Sequence, residues 1–196
     1  DTQVLRMDTD TVKAAGSHDV LLNKFKNEKI PIMVGTQMVT KGLNFENVTL
    51  IGVVSADQSL YCGDYRSGER TFSLITQVIG RSGRGSKPGR AIIQTFTPQN
   101  EIIRLAAQQD YEGFFKTELS LRRLQDTPPF ADIIAITASG TVESTVIKCC
   151  TDICTVVKAS LRNRSDVRIL GPAPLAVVRV NNRYRYRVNI CCTTDR

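Results

Sequence analysis

Four short apolar runs limit what this chain can fold into. They are Val4–Met7, Ile32–Gly35 (IMVG), Val48–Ser55 (VTLIGVVS) and Arg90–Phe96 (RAIIQTF), and helix-like stretches separate them. A run of this length without polar alternation suits a strand buried on both faces, the usual condition of a parallel sheet. His18–Lys29 (HDVLLNKFKNEK) sets Val20, Leu21, Leu22 and Phe25 at helical intervals, Glu69–Gly80 reads as a second helix, and Glu101–Asp110 as a third. Asp8–Ser17 is polar and turn-like. Strands that alternate with helices in this way make an α/β layer on a parallel sheet.

A second unit begins further on. Tyr111–Leu124 continues as a charged helix and runs into Thr127-Pro128-Pro129. Consecutive prolines cannot continue a helix, so the boundary is placed there. Beyond it the pattern restarts with a strand at Ala131–Ser139, a long helix at Val142–Leu161 and a strand at Val167–Leu170 that ends at Gly171-Pro172-Ala173-Pro174. Leu175–Val180 and Tyr184–Cys192 read as two strands of a hairpin turned by Asn181-Asn182. The expected organisation is an α/β domain over 1–110, a helical linker over 111–126 and a small α+β domain over 127–196.

Composition narrows the class. Hydrophobic residues are 41% and charged residues 23%, values of a folded chain and not of a disordered one. Aromatics are 6% with no Trp, which argues against a stacking-rich single-strand binder acting alone. The net charge of +7 favours partners that carry phosphate, although charge by itself does not decide this. No signal peptide or membrane-length apolar run is present, so a cytoplasmic protein with six reduced cysteines and no membrane partner is expected. The first residue is not Met, and a segment of a longer protein is inferred.

The sharpest chemical signal is Gln77-Val78-Ile79-Gly80-Arg81-Ser82-Gly83-Arg84-Gly85, with two arginines among glycines at the end of a helix. A guanidinium is always charged and offers a planar fork of donors that fits phosphate oxygens. Glycines allow the tight exit that aims both forks one way. A basic helix end that satisfies its own carbonyls would explain RSGR alone. RSGR is not alone, however: Val34-Gly35-Thr36-Gln37-Met38-Val39-Thr40-Lys41-Gly42-Leu43-Asn44-Phe45 follows a strand end, where open α/β sheets place ligand contacts.

QVIGRSGRG resembles motif VI of superfamily 2 helicases, and VGTQMVTKGLNF resembles their motif V. IMVGTQMVTKG, DYRSGERTFSLITQVIGRSGRG, PGRAIIQTFTP, RRLQDTPPF and ILGPAPLAVVRVNNRYRYRV together resemble the replication-restart helicases, the primosomal protein N-prime family, over nearly the whole chain. The resemblance implies a RecA-like second helicase lobe of P-loop NTPase type, followed by a small C-terminal DNA-binding domain. It implies that Arg84 is the finger nearest the γ-phosphate of ATP, with Arg81 beside it, and that Gln77 and Gly80 couple to the nucleotide. Thr36 and Lys41 would lie near the DNA backbone, and Gly42 would permit close approach. Asn44 stands where many relatives carry an acid that touches the nucleotide sugar. Asp64, Arg66, Glu69 and Arg70 are expected to be structural or coupling residues, with a buried ion pair bracing the motif VI helix as the favoured reading.

The family activity is ATP-dependent 3′–5′ unwinding at stalled or branched forks, leading to primosome assembly. The implied partners are DNA forks, D-loops and single-strand/duplex junctions, with single-stranded DNA-binding protein and primosome proteins. A P-loop, G-x-x-x-x-G-K-[ST], is absent from this sequence, as is an Asp-Glu pair for Mg²⁺. ATP and Mg²⁺ would therefore be held by a first lobe, and this chain alone is expected to be inactive. The family also carries a zinc-binding cysteine cluster. The cysteines here lack C-x-x-C spacing, so no metal ligand is assigned and they are expected to be buried hydrophobes. His18, at a helix start, is expected to be a surface or capping residue.

In the C-terminal unit Arg179, Arg183, Arg185 and Arg187 cluster around the hairpin. Period-two spacing puts Arg183, Arg185 and Arg187 on one strand face and Tyr184, Tyr186 and Val188 on the other. A basic strand face is a candidate phosphate tracker, and a solvated sheet face has the same pattern. The rival reading of the whole protein is a non-enzymatic platform that binds branched DNA and loads the primosome.

Overall fold

Strands β1 (Val4–Met7) and β2 (Ile32–Gly35) pair in parallel, with Leu5 opposite Met33 and Met7 opposite Gly35, and helix α1 (Ser17–Asn27) connects them. This computed structural model describes residues 2–8, 17–36, 48–80, 88–162 and 164–193. Leu5, Met7 and Ile30 are buried, while Val4, Ile32 and Val34 on the opposite side stay open.

Strands β3 (Leu50–Val53) and β4 (Arg90–Ile93) form a second parallel pair in register Leu50–Arg90 to Val53–Ile93. Between them lie α2 (Asp57–Leu60) and α3 (Ser67–Ile79). The sequence predicts one parallel sheet, but the four strands form two separate pairs because no described strand joins them. The crossovers are helical, as parallel pairing requires.

Helix α3 buries Thr71, Phe72 and Ile75, at the three- and four-residue intervals of one helix face. Phe72 and Ile75 meet Ala56, Ile103, Ala106 and Phe114 in one core, with Val53 and Ile93 packed against it. Phe72 stacks on Phe114 with ring centroids 4.1 Å apart. Helix α4 (Glu101–Gln108) starts where the Asn100 side chain accepts from the Ile102 and Ile103 amides. That cap satisfies donors a helix start leaves open.

Contacts divide the chain into two units, Asp1–Tyr61 with Gly68–Phe114, and Cys62–Ser67 with Phe115–Arg196. The division falls inside helix α5 (Tyr111–Leu124). In the second unit β5 (Ala131–Gly140), β7 (Arg183–Thr193) and β6 (Val167–Val180) form an antiparallel sheet in that order. Helix α6 (Glu143–Ser160) covers one face through Cys150 and Cys154, which pack on Val188 with Ala138, Ile169 and Tyr186 around them. The buried cysteines act here as small hydrophobes.

The hairpin turn is a two-residue one with Asn181 at φ 48° and Asn182 at φ 62°, and Val180 pairs with Arg183. Both central residues are left-handed, which Asn tolerates and a tight hairpin needs. The Gly-Pro-Ala-Pro break read from the sequence is not a break. Strand β6 runs straight through it, with register shifts between Leu170 and Ala173 and between Pro174 and Arg179. Pro172 and Pro174 are tolerated because β6 is an edge strand with bulges.

Gly171 marks the first shift. Its φ is +113°, and a Cβ there would stand 2.7 Å from the Arg187 carbonyl oxygen and 3.3 Å from the Val188 Cα. Both obstacles are backbone of the central strand, which cannot swing aside. Gly171→Ala is expected to destabilise the chain by roughly 2–4 kcal/mol, combining overpacking with a disfavoured φ. Urea unfolding of the purified protein measures this.

Candidate nucleotide and nucleic-acid surfaces

Helix α3 leads directly to the arginine pair. Its buried face holds Phe72 and Ile75, and Gln77 faces solvent. Gly80 follows, its amide donating to the Thr76 carbonyl at 3.0 Å. An added Cβ at Gly80 would sit 3.3 Å from that oxygen, so a larger residue would crowd the helix exit. Arg81 and Arg84 lie outside the described residues, as do Lys41, Gly42 and Asn44. Thr36 is exposed at the carboxyl end of β2, and its amide donates to the Met7 carbonyl at 3.3 Å.

The carboxyl ends of β3 and β4 are tied together by a network the sequence did not reveal. The Asp57 carboxylate accepts from the Thr95 hydroxyl at 2.8 Å, the Thr97 hydroxyl at 2.6 Å and the Phe96 amide at 3.0 Å. The Thr97 hydroxyl leads these donors in holding the Asp57 carboxyl down at about 2, against the opposing effect of desolvation. Asp57 is ionised throughout the neutral range. The only signal in the sequence is Asp57 after one apolar run and two threonines after another, a pairing that needs the fold to bring them together.

The residues expected to form a buried ion pair beside α3 are not buried. Arg66, Glu69 and Arg70 are exposed. Asp64 accepts from the Arg66 amide at 3.1 Å, forming a local turn. A shielded pair exists elsewhere, on α5: Arg122 meets Glu118 at 2.9 Å with side chains only 16% and 13% exposed. Arg122 also donates to the Pro128 carbonyl at 3.2 Å and lies 5.3 Å from the Tyr65 ring centroid. Spaced four apart on one helix, Glu118 and Arg122 are natural partners. Their burial depends on Tyr65 and the proline corner.

The arginines of the second unit do not form one group. Arg185 pairs across from Ser139 and Arg187 from Thr137, on the sheet side away from α6. Arg183 donates to the Ser139 carbonyl at 3.0 Å, and Arg183 and Arg187 are exposed while Arg185 is half-buried. Tyr186 faces α6, its hydroxyl donating to Glu143 at 2.8 Å, an interaction that raises its pKa. Arg179 pairs across from Tyr184 and stands 5.0 Å from that ring centroid, while its guanidinium donates to Asn182. It belongs with the tyrosines and not with the other three arginines.

Among the described residues no three His, Cys, Asp or Glu side chains are placed to hold a metal ion. Cys150, Cys154 and Cys191 are buried as expected of small hydrophobes, whereas Cys62 and Cys149 are exposed and the half-buried Cys192 lies against Asp166 at 3.5 Å. Burial raises the Cys192 thiol pKa, and the Asp166 hydrogen bond adds to the effect. His18 is half-buried at the start of α1, with Nδ1 3.7 Å from Asp19. No described helix is long and apolar enough to cross a membrane.

Comparison with known proteins assigns both units. Residues 3–86 match the model of the helicase conserved C-terminal domain, and residues 123–196 match the primosomal protein N C-terminal domain. The chain is 44% identical over 94% of its length to the replication restart protein PriA of Bacillus subtilis, and 42% identical over 96% to that of Synechocystis. The PriA of Rickettsia conorii is 34% identical over 97% of the chain.

The chain belongs to the PriA family. It spans about a quarter of the length of these curated relatives, covering 23%, 22% and 28% of them. The helicase match makes the first unit of this PriA-family chain a RecA-like helicase lobe. Both motif segments, VGTQMVTKGLNF and the arginine-bearing QVIGRSGRG, fall inside that match.

Proposed function

We propose that this chain is the second motor lobe and C-terminal domain of an ATP-dependent DNA helicase that restarts replication at stalled or branched forks. One observation carries the reading: a helicase C-terminal match over 3–86 and a primosomal C-terminal match over 123–196 follow one another on a single chain. In this reading ATP and Mg²⁺ bind a first lobe outside the chain. Arg84, with Arg81 beside it, reaches the γ-phosphate and offsets charge that builds during transfer. Gln77 and Gly80 couple the nucleotide to α3, with Gly42 and Asn44 close to it. Thr36 and Lys41 hold one DNA strand, so that opening and closing of the cleft moves the lobe along DNA 3′ to 5′.

In the second unit Arg183, Arg185 and Arg187 track phosphates on the sheet face that α6 leaves open. The intact protein would act in the cytoplasm, with zinc held outside this chain and with single-stranded DNA-binding protein and primosome proteins as partners. The platform reading keeps this DNA surface and removes the motor.

The chain has no P-loop. Purified alone, it is expected to show no DNA-stimulated ATP hydrolysis, whereas the intact protein turns over ATP. Steady-state phosphate release with and without forked DNA tests both statements. Turnover by the chain alone, or its absence from the intact protein, overturns the proposal.

A further inference from the structure

Strands β3 and β4 point their carboxyl ends the same way, the end where open α/β sheets place ligand-contacting loops. The two exits are stapled twice. The Ser55 amide donates to Gln94 Oε1 at 2.7 Å, and the Ala56 amide to the Gln94 carbonyl at 3.1 Å. Asp57 then takes both threonine hydroxyls on Oδ1 and the Phe96 amide on Oδ2. Ala56, held between these staples, packs in the same core as Phe72 and Ile75 of α3. Helix α3 ends at Ile79, immediately before Gly80 and Arg81.

We propose that Asp57 is a positioning residue for the motor: by clasping Thr95 and Thr97 it fixes Ala56 against α3, and so sets where that helix delivers Arg81 and Arg84. This rests on the motor reading above. The carboxylate suits the task better than any neutral isostere. An amide at position 57 has one acceptor oxygen, so it either sets an N–H against the Phe96 N–H or turns both hydroxyls from donors to an anion into acceptors from a neutral NH2, which weakens the clasp. A misplacement of about 1 Å far from the chemistry can cost on the order of 10²-fold in rate. The clasp touches neither ATP nor DNA in this scheme, so its loss falls on the transition state alone.

The test uses the intact protein. Asp57→Ala is expected to lower kcat for DNA-stimulated ATP hydrolysis by roughly 10- to 100-fold, with KM for ATP and fork affinity unchanged. Thr97→Val moves kcat the same way by less, Thr97→Ser restores it, and Asp57→Ala with Thr97→Val is no slower than Asp57→Ala alone. Unchanged kcat in folded Asp57→Ala, or an equal rise in KM that leaves kcat intact, overturns the proposal. If Asp57→Ala fails to fold, equal kcat for Thr97→Val and Thr97→Ser overturns it. Arg84→Ala runs alongside. If that variant keeps full turnover, the motor reading fails and the clasp fails with it; if it is inactive while Asp57→Ala is not, only the clasp fails.

Discussion

Arg84→Ala in the intact protein is expected to cut kcat for ATP hydrolysis by about 10³–10⁵-fold and to leave fork affinity unchanged. Phosphoryl transfer leaves little covalent chemistry for protein side chains, so catalysis comes from positioning and charge. A guanidinium that arrives from the opposite lobe meets the γ-phosphate as negative charge spreads over its oxygens. It does so in a closed cleft, where water screens least. Arg84→Lys should recover only part of the loss, because a compact ammonium cannot present two parallel donors. The platform reading predicts the same full DNA binding but no dependence of any activity on Arg84. Single-turnover phosphate release paired with fluorescence anisotropy on a fork separates the two. Wild-type turnover in a folded Arg84→Ala protein would remove the motor assignment.

Replacing Arg183, Arg185 and Arg187 together with Gln is expected to weaken fork binding and flatten its salt dependence. Each phosphate contact on duplex DNA contributes about 0.9 to the slope of log affinity against log salt, so three contacts lower it by about 2 to 3. Arg179 is the internal control. It faces the other side of the sheet with its charge over the Tyr184 ring, so Arg179→Gln should leave the slope nearly unchanged. Titrations at four salt concentrations, each with a thermal unfolding check, read the difference. A triple variant with the wild-type slope would mean that the basic row faces only water.

Much of the element pattern was legible in advance because it depends on neighbours in sequence. The runs at Val4–Met7 and Ile32–Gly35 became β1 and β2 with the same bounds, and Tyr111–Leu124 became α5. The Asn181-Asn182 turn followed from the tolerance of Asn for positive φ. Misreadings arose where partners far along the chain decide. Val48–Ser55 shortened to Leu50–Val53, since a parallel strand lasts only while its partner does and β4 has four residues. Strand β6 survived two prolines because it is an edge, a fact of sheet order that no local pattern contains. Helix α2 was missed, and its first residue, Asp57, is held by threonines 38 and 40 residues away.

The site divides along the same line. Arginine spacing, interleaved glycines and the absent P-loop are properties of the covalent chain, and together with the family resemblance they lead to the expectation of phosphate chemistry at half a catalytic centre. Which cations share a face was decided only in three dimensions. Two register shifts in β6 carry Arg179 to the Tyr184 side while Arg183, Arg185 and Arg187 keep strict alternation along β7. Glu118–Arg122 is shielded while Arg66, Glu69 and Arg70 beside α3 are exposed, because burial depends on what folds over a side chain. Spacing along the backbone dictates which groups the chain can offer, whereas desolvation and register depend on long-range pairing and are settled only when the sheet assembles.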